Sequence, residues 1–167
     1  MNGLNNNKMG FQTKVWGPAA WLFLHTITLN YNPVKSKEYR LFFKYLKDVL
    51  PCGACRDNYA RILKEMPMDK IVMKTRTNLS YWLFKVHNQV QNDIYKKTED
   101  VENKPEYENN KKDFKKVVNF YETFRAKCNK SSYGCYIPSK GNTKRMAKIS
   151  IVPFKGKRQK NSIMISK

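Results

Sequence analysis

The stretch Pro51-Cys52-Gly53-Ala54-Cys55 is followed directly by a helical pattern over residues 56–66. The N-terminus of a helix carries partial positive charge and unpaired N–H groups, which favour a thiolate over a thiol. Pro51 has no backbone N–H group to donate and therefore suits the start of a helix. The two small residues between the cysteines leave room for a partner to reach both sulfur atoms. This pattern is typical of a redox pair that alternates between dithiol and disulfide.

The same pair of cysteines has other interpretations. A Cys-x-x-Cys pair is often half of a zinc site, and Cys128 and Cys135 would supply the other two ligands. The six residues between this second pair exceed the usual ligand spacing. A thioredoxin-like motif requires a βαβ setting, and no parallel-strand pattern flanks this one. The motif alone therefore indicates redox chemistry or metal binding.

The composition indicates one folded domain with a large excess of positive charge. The chain has 167 residues, 41% of them hydrophobic, which is enough for a buried core. Its formal net charge of +20 favours polyanions such as nucleic acid, anionic surfaces or acidic proteins. Residues 1–10 lack a secretory signal, and the longest apolar run, residues 19–24, is too short to span a bilayer. We therefore expect a cytoplasmic protein without a membrane span.

Hydrophobic periodicity predicts an all-α fold. The predicted helices cover residues 16–31, 36–50, 51–66, 78–95 and 113–127, with Pro18 in the first turn of the first helix and with Ser36 and Asn78 as caps. Residues 96–113 are predicted to form an exposed loop, and residues 148–152 alternate weakly, as in a short strand. We predict a polar N-terminal segment over 1–13, a helical domain over 14–136 and a basic C-terminal tail over 137–167.

Side chains suited to a flat cofactor occur on the first and fourth predicted helices. A dithiol needs an acceptor for two electrons, and a flavin accepts a pair and can pass it to oxygen. Flavin rings need aromatic faces, and the ribose and phosphates need polar groups. The candidates are Trp16, Trp21, His25, Trp82, His87 and Asn88. The alternative for Trp21 and His25, which share a helix face, is a core aromatic beside a hydrogen-bonded histidine.

Three segments in register carry a resemblance to a known family. Trp16-Gly17-Pro18-x-x-Trp21-x-x-Leu24-His25 is followed by Pro51-Cys52-x-x-Cys55 and then by Trp82-x-x-x-x-His87-Asn88-x-Val90. In this order and spacing, over about residues 14–96, they resemble the FAD-linked sulfhydryl oxidases of the Erv/ALR type. The opening Trp-Gly-Pro and the compact length are most similar to members encoded by large cytoplasmic DNA viruses.

The resemblance implies a four-helix bundle with a fifth short helix, usually a homodimer, that holds FAD non-covalently at the bundle mouth. It implies oxidation of protein dithiols to disulfides, directly or through a thioredoxin-like or small CxxC carrier, with oxygen reduced to hydrogen peroxide. By position, Cys55 would lie next to the isoalloxazine, and Cys52 would be the interchange thiol that meets the substrate. No metal is implied. The implied cofactor-binding residues are Lys14, Trp16, Gly17, Trp21, His25, Tyr59, His87, Asn88, Val90, Gln91 and Lys96.

The chain departs from the family pattern at two places. Gln91 stands where the family commonly has asparagine, which shifts the side-chain amide by one methylene. Cellular members carry a second cysteine pair close behind this segment, whereas Cys128 and Cys135 lie much further along the chain. That pair would be a structural disulfide or a shuttle that relays electrons to Cys52, and the sequence does not choose between them.

The sequence also supports expectations for the location of the protein, the role of its basic tail and an alternative function. A virus-encoded member would be a late protein of the host cytoplasm or viral factory, or would be carried in the virion. The basic tail is either a solubilising segment or a contact for nucleic acid or another polyanion. The alternative function is a zinc-stabilised, basic nucleic-acid-binding protein that uses all four cysteines as ligands.

Overall fold

The computed structural model describes residues 10–97, 113–128 and 134–138. The chain divides into two compact units; the first ends at Arg125 and the second begins at Ala126. In the first unit the described helices are α1 (Thr13–Leu29), α2 (Ser36–Val49), α3 (Gly53–Glu65), α4 (Arg76–Lys97) and α5 (Phe114–Glu122), with 3-10 turns at Pro33–Lys35 and Val72–Lys74. The predicted helical fold, with four long helices and a shorter fifth, is confirmed. None of the helices within these described ranges is long and apolar enough to cross a membrane.

The helices of the first unit share one core. Helix α1 packs on α4, α2 packs on α3, and α4 also contacts α3. The largest fully buried side chains include Trp82, Tyr31 and Phe43. The ring of Trp82 meets that of Phe43 edge to face at 5.4 Å, and its Nε1 donates to the Met66 carbonyl at 2.9 Å. Trp82 is therefore a core residue that joins α2, α4 and the end of α3, and the expectation that it offers a face to a cofactor is wrong.

Helix α1 begins earlier than the sequence predicted. Its first residue is Thr13, so Pro18 lies in the helix interior rather than in the first turn. Proline has no N–H group, so the carbonyl four residues earlier loses its helical partner. Pro18 is exposed, which leaves that carbonyl open to other partners. The longer helix carries Trp16 and Gly17 on its second turn, where the sequence had predicted its start.

Two predicted caps are replaced by their neighbours. Ser36 is the first residue of α2, and Lys35 occupies the cap position without a side-chain hydrogen bond. Asn78 lies in the first turn of α4, where its amide donates to the Ile71 carbonyl at 2.7 Å. The hydroxyl oxygen of Thr75 accepts from the Asn78 N–H at 3.1 Å and so does the capping. Both helix starts shift because nearby turns supply other partners.

The second unit contains a short hairpin. Strand β1 (Ala126–Cys128) pairs antiparallel with β2 (Cys135–Pro138), and Cys128 lies opposite Cys135. The sequence predicted a fifth helix to residue 127, but α5 ends at Glu122, since pairing with β2 extends the chain after Arg125. The predicted domain boundary at 136/137 falls within β2. The predicted strand at 148–152 and the tail from 139 onwards lie outside the described residues, as does most of the predicted loop at 96–113.

Candidate active site

Cys52 and Cys55 form a disulfide at the N-terminus of α3, with their Cα atoms 5.1 Å apart. Cys52 is the N-cap residue, and its Sγ accepts from the Cys55 N–H at 3.2 Å. The sequence predicted that the third helix starts at Pro51; α3 instead begins at Gly53, so Cys52 is its cap and Cys55 lies in the first turn. Both cysteines are half-buried. The helix N-terminus therefore directs its unpaired N–H groups at the sulfur pair.

Backbone carbonyl groups of the loop before this disulfide, residues 50–52, accept hydrogen bonds from other parts of the chain. The Arg56 guanidinium donates to the Leu50 carbonyl at 2.7 Å, and the Phe11 N–H donates to the Pro51 carbonyl at 2.9 Å. The Trp16 indole N–H donates to the Phe11 carbonyl at 3.1 Å. Two consecutive hydrogen bonds, Trp16 to Phe11 and Phe11 to Pro51, therefore connect the start of α1 to the loop that carries Cys52.

A second cluster joins α1, α4 and α5 around two histidines. The Trp21 indole stacks on the His87 imidazole, with ring centroids 3.9 Å apart and planes within 9°. The His25 Nε2 lies 3.1 Å from the His87 Nδ1, and the Gln91 Nε2 lies 3.3 Å from the His87 Nε2. On the other side, the Tyr121 ring stacks on His25 at 4.9 Å. His25 is buried, and Trp21, His87 and Gln91 are half-buried.

The hydrogen bonds of this cluster link His87 to both Gln91 and His25. A neutral imidazole has one donor and one acceptor nitrogen, and an amide nitrogen only donates. With the Gln91 amide donating to the His87 Nε2, a neutral His87 would carry its proton on Nδ1, which faces the His25 Nε2. Gln91, the residue that departs from the family pattern, therefore orients His87. Burial raises the pKa of the Tyr121 hydroxyl above its usual value, so Tyr121 stays neutral beside these rings.

Helix directions place the start of α1 and the disulfide at the same end of the helical unit. Helix α1 runs antiparallel to α4, because Arg76 at the start of α4 donates to the Tyr31 carbonyl just after α1. Helix α3 is also antiparallel to α4, since Arg61 pairs with Asp93 while Trp82 bonds to the Met66 carbonyl at the end of α3. The start of α1, the Cys52 end of α3 and the later half of α4 therefore lie at one end.

The four cysteines form two separate disulfides, Cys52 with Cys55 and Cys128 with Cys135. Their sulfur atoms are thus bonded to one another rather than gathered as four ligands. Among the residues that the structure describes, no group of three or more His, Cys, Asp or Glu side chains is placed to hold a metal ion. The arrangement does not support the four-cysteine zinc site that the sequence left open.

Comparison with known proteins identifies the family. A model of the Erv1 / Alr family matches residues 18–115, which is more than half of the chain. This chain belongs to the Erv1/Alr family. The match runs from the second turn of α1 to the first turn of α5 and includes the Cys52–Cys55 disulfide and both histidines of the cluster, but not Tyr121. Lys14, Trp16 and Gly17 lie just before the matched segment.

The relatives of this Erv1/Alr member include proteins of large DNA viruses, as the sequence predicted. A probable FAD-linked sulfhydryl oxidase of Acanthamoeba polyphaga mimivirus is 40% identical over 79 residues, which are 45% of this chain and 55% of the relative. A putative FAD-linked sulfhydryl oxidase of Invertebrate iridescent virus 3 is 30% identical over 86 residues, or 49% of this chain and 57% of the relative. The FAD-linked sulfhydryl oxidase of Arabidopsis thaliana is 31% identical over 84 residues, or 48% of this chain and 42% of the relative. The chain spans about half the length of these relatives.

The remaining predicted site residues have diverse environments in this family member. Gly17 is half-buried, and a Cβ atom at this position would meet nothing within 4 Å, so there is open space beside it. Asn88 is half-buried, and Val90 packs against the core. Lys14 and Lys96 are exposed. Their cofactor contacts stay predictions.

Tyr59 is built into the core. Its side chain is 6% exposed, and its hydroxyl donates to the Phe43 carbonyl at 2.9 Å. Burial raises the pKa of the Tyr59 hydroxyl above its usual value. The hydroxyl thus already has a partner in α2, and the cofactor contact implied by the resemblance stays a prediction.

Sequence reasoning missed Gly10, Phe11, Arg56 and Tyr121. Arg56 directly follows the Cys-x-x-Cys stretch, so its position was the available sequence signal. Tyr121 lies among apolar residues at helical spacing in the fifth predicted helix, a pattern that indicates burial but not contact with a histidine. No signal in the sequence connects Phe11 with Pro51, because that hydrogen bond joins backbone groups of residues forty positions apart.

Proposed function

We propose that this chain is an FAD-linked sulfhydryl oxidase that forms disulfide bonds in protein substrates. The observation that carries the proposal is the Cys52–Cys55 disulfide capped on the N-terminus of α3, within a chain of the Erv1/Alr family. The relatives from mimivirus, the iridescent virus and Arabidopsis are all named as FAD-linked sulfhydryl oxidases. Oxygen would be the terminal electron acceptor, with hydrogen peroxide as the product.

Thiol–disulfide exchange at Cys52 accounts for the protein chemistry. A substrate thiolate attacks the Cys52 Sγ, the Cys52–Cys55 bond breaks, and Cys55 leaves as a thiolate. A second substrate thiolate attacks its partner sulfur, and Cys52 leaves as a thiolate with an oxidised substrate as product. Two substrate thiols have then lost two protons and two electrons, and the enzyme pair holds those electrons. The helix N-terminus stabilises negative charge on both sulfur atoms.

The residues of the histidine cluster offer the chemical groups that a flavin needs. The Trp21 and His87 rings offer aromatic surface, and His25, His87 and Gln91 offer polar nitrogen atoms. The open space beside Gly17 would admit a planar group close to α1. FAD, when bound, would accept the electron pair of the reduced cysteines and pass it to oxygen. Lys14, Trp16, Asn88, Val90 and Lys96 complete the proposed binding set, with Cys55 as the sulfur nearest the cofactor.

We further propose that the chain forms a homodimer through an exposed apolar face of α1 and α2. Phe42, Tyr45 and Val49 repeat at helical spacing, and all three are exposed. Phe23 on α1 meets Phe42 edge to face at 6.4 Å and extends this face. A contiguous exposed apolar patch of this kind marks an interaction surface, and a two-fold axis would cover it with its own copy. Phe42→Glu should yield a monomer in sedimentation analysis, while Ile71→Glu, an exposed control outside the face, should not.

Location and the basic tail remain expectations. A host cytoplasm, viral factory or virion location agrees with relatives from mimivirus and the iridescent virus. Contact of the tail with nucleic acid or another polyanion rests on sequence charge alone, because residues 139–167 lie outside the described ranges. A thioredoxin-like or small CxxC carrier is a further expected partner. Oxygen uptake with a reduced candidate carrier as substrate would test it directly.

The test of the function starts with the colour of the purified chain. The oxidase should be yellow with bound FAD and should consume oxygen when a dithiol such as DTT is added. Cys52→Ser and Cys55→Ser should each retain FAD but stop oxygen uptake, since neither can form the internal disulfide. Cys128→Ser is the matched control and should keep oxygen uptake with DTT. A colourless chain that refuses added FAD and binds zinc through its cysteines would support the nucleic-acid-binding alternative.

A further inference from the structure

The segment Gly10–Phe11, named here the strap, lies directly against the 50–52 loop. The Phe11 N–H donates to the Pro51 carbonyl at 2.9 Å. A Cβ atom at Gly10 would come within 2.7 Å of the Pro51 carbonyl oxygen and within 3.1 Å of the Cys52 Cα. Real Cβ atoms do not approach backbone so closely, so only glycine fits there without a shift of the strap or the loop.

The strap is itself held from the other side. The Trp16 indole N–H donates to the Phe11 carbonyl at 3.1 Å, which fixes the peptide that follows the strap to the second turn of α1. The Phe11 ring is 77% exposed, so burial of the side chain does not account for the position of this residue. The strap is therefore placed by its backbone contacts.

The residues of the 50–52 loop form few stabilising hydrogen bonds of their own, so the loop needs support from the strap. Pro51 has no N–H group, so it can be held only through its carbonyl. Cysteine is not among the residues that make strong helix caps, yet Cys52 must stay extended for its Sγ to reach the Cys55 N–H. A rotation of the Pro51–Cys52 peptide would carry the sulfur away from the helix N-terminus.

We propose that the strap is a positioning element for the redox pair: its backbone contacts with Pro51 and Cys52 keep the Cys52 sulfur on the N-terminus of α3. Phe11 and Gly10 act through the loop and do not touch the reacting atoms. The inference rests on the proposed function only for its catalytic meaning, namely that a correctly held Cys52 exchanges faster with substrate thiols. The positioning itself is a property of the cysteine pair and is measurable without FAD or oxygen.

The test measures how the alkylation rate of Cys52 depends on pH. The full-length chain is reduced, treated briefly with iodoacetamide across a range of pH, and analysed by tandem mass spectrometry, which assigns the label to Cys52 or Cys55. A thiolate held at a helix N-terminus has a pKa of about 3.5–7.5, against about 8.5 for a free thiol. The wild-type rate for Cys52 should therefore reach half its maximum below about pH 7.5.

Two matched pairs of variants isolate the strap. Phe11→Pro removes the N–H donor to Pro51, whereas Phe11→Ala removes only the exposed ring. Gly10→Ala introduces the close Cβ atom, whereas Gly134→Ala introduces one into open space. Phe11→Pro and Gly10→Ala should each shift the half-maximal pH of Cys52 upward, by at least about half a unit towards 8.5, and the two controls should not.

The outcomes separate this inference from the proposed function. An unchanged pH profile in both Phe11→Pro and Gly10→Ala, with their helical circular dichroism intact, would overturn the positioning role. An equal shift in Phe11→Ala would also overturn it, since that variant keeps the N–H donor. If Gly10→Ala does not fold, the Phe11 pair decides the question alone. If the wild-type chain consumes no oxygen with a dithiol, the oxidase function is refuted, while the alkylation result stays valid.

Discussion

Replacing Tyr59 by phenylalanine removes one hydroxyl group from the core and keeps the ring. The hydroxyl donates to the Phe43 carbonyl at 2.9 Å in a region that excludes water. Phe43 lies inside α2, so its carbonyl keeps the helical hydrogen bond after the substitution. The expected loss is therefore that of one net hydrogen bond, about 1 kcal/mol. At about 2.1 cal/mol/K of unfolding entropy per residue, this corresponds to a fall in melting temperature of roughly 3–4 °C.

The dependence of this difference on pH is a sharper test. Burial raises the pKa of the folded Tyr59 hydroxyl above that of the unfolded chain, which is about 10. The contribution of the hydroxyl to stability is thus complete below about pH 10 and is lost as the pH rises towards the folded pKa. The loss approaches about 1.4 kcal/mol for each further pH unit. The wild type should then lose its advantage of about 1 kcal/mol in unfolding free energy over Tyr59→Phe near roughly pH 10.5–11, because the accumulated loss equals the hydrogen-bond contribution there.

The measurement is urea unfolding of both chains at a series of pH values from 7 to 11. Tyr81→Phe is the control, because Tyr81 is exposed and should cost little at any pH. A constant separation between wild type and Tyr59→Phe across this range would refute the buried, hydrogen-bonded hydroxyl. Loss of bound flavin from Tyr59→Phe, with an unchanged melting temperature, would instead assign the hydroxyl to the cofactor.

Three further predictions concern other parts of the chain. Ser80 is 2% exposed and its Oγ has no hydrogen-bond partner within the described structure, so Ser80→Ala should unfold at an equal or higher urea concentration; a loss above about 1 kcal/mol would contradict this. Tyr121→Phe should keep the ring that stacks on His25 and therefore keep the flavin-to-protein absorbance ratio, whereas Tyr121→Ala should lower this ratio. Cys128→Ser combined with Cys135→Ser should retain oxygen uptake with DTT, because this disulfide closes a hairpin of the second unit; a selective loss with protein substrates would identify the pair as a shuttle.

Much of the helical unit could be read from local patterns. Apolar residues at helical spacing predicted α2, α3 and α4 to within a few residues, because this periodicity depends only on neighbours in the chain. The position of Cys52 and Cys55 at a helix start followed from Pro51 and from the helical pattern over residues 56–66. The end of α5 could not be predicted, because strand pairing with residues 135–138 overrides the local helical preference.

The site was predicted less completely than the fold. Trp21 and Trp82 appeared equivalent in sequence, as aromatic residues on apolar helix faces. The structure buries Trp82 between α2, α4 and the end of α3, and it leaves Trp21 half-buried against His87. This difference depends on which helix covers each face, and periodicity identifies a face without naming its partner.

Local patterns were enough to predict α2, α3 and α4, the redox pair and the family resemblance, because each depends on residues close together in the chain or on fixed motif spacing. Three contacts depend instead on how the helices pack: Tyr121 lies on His25, His25 lies against His87, and the backbone of Gly10–Phe11 supports Pro51. The first of these contacts joins α5 to α1 and the last joins the chain ahead of α1 to the loop before α3. Such contacts arise only when helices have packed, since packing fixes distances between groups that no local pattern relates.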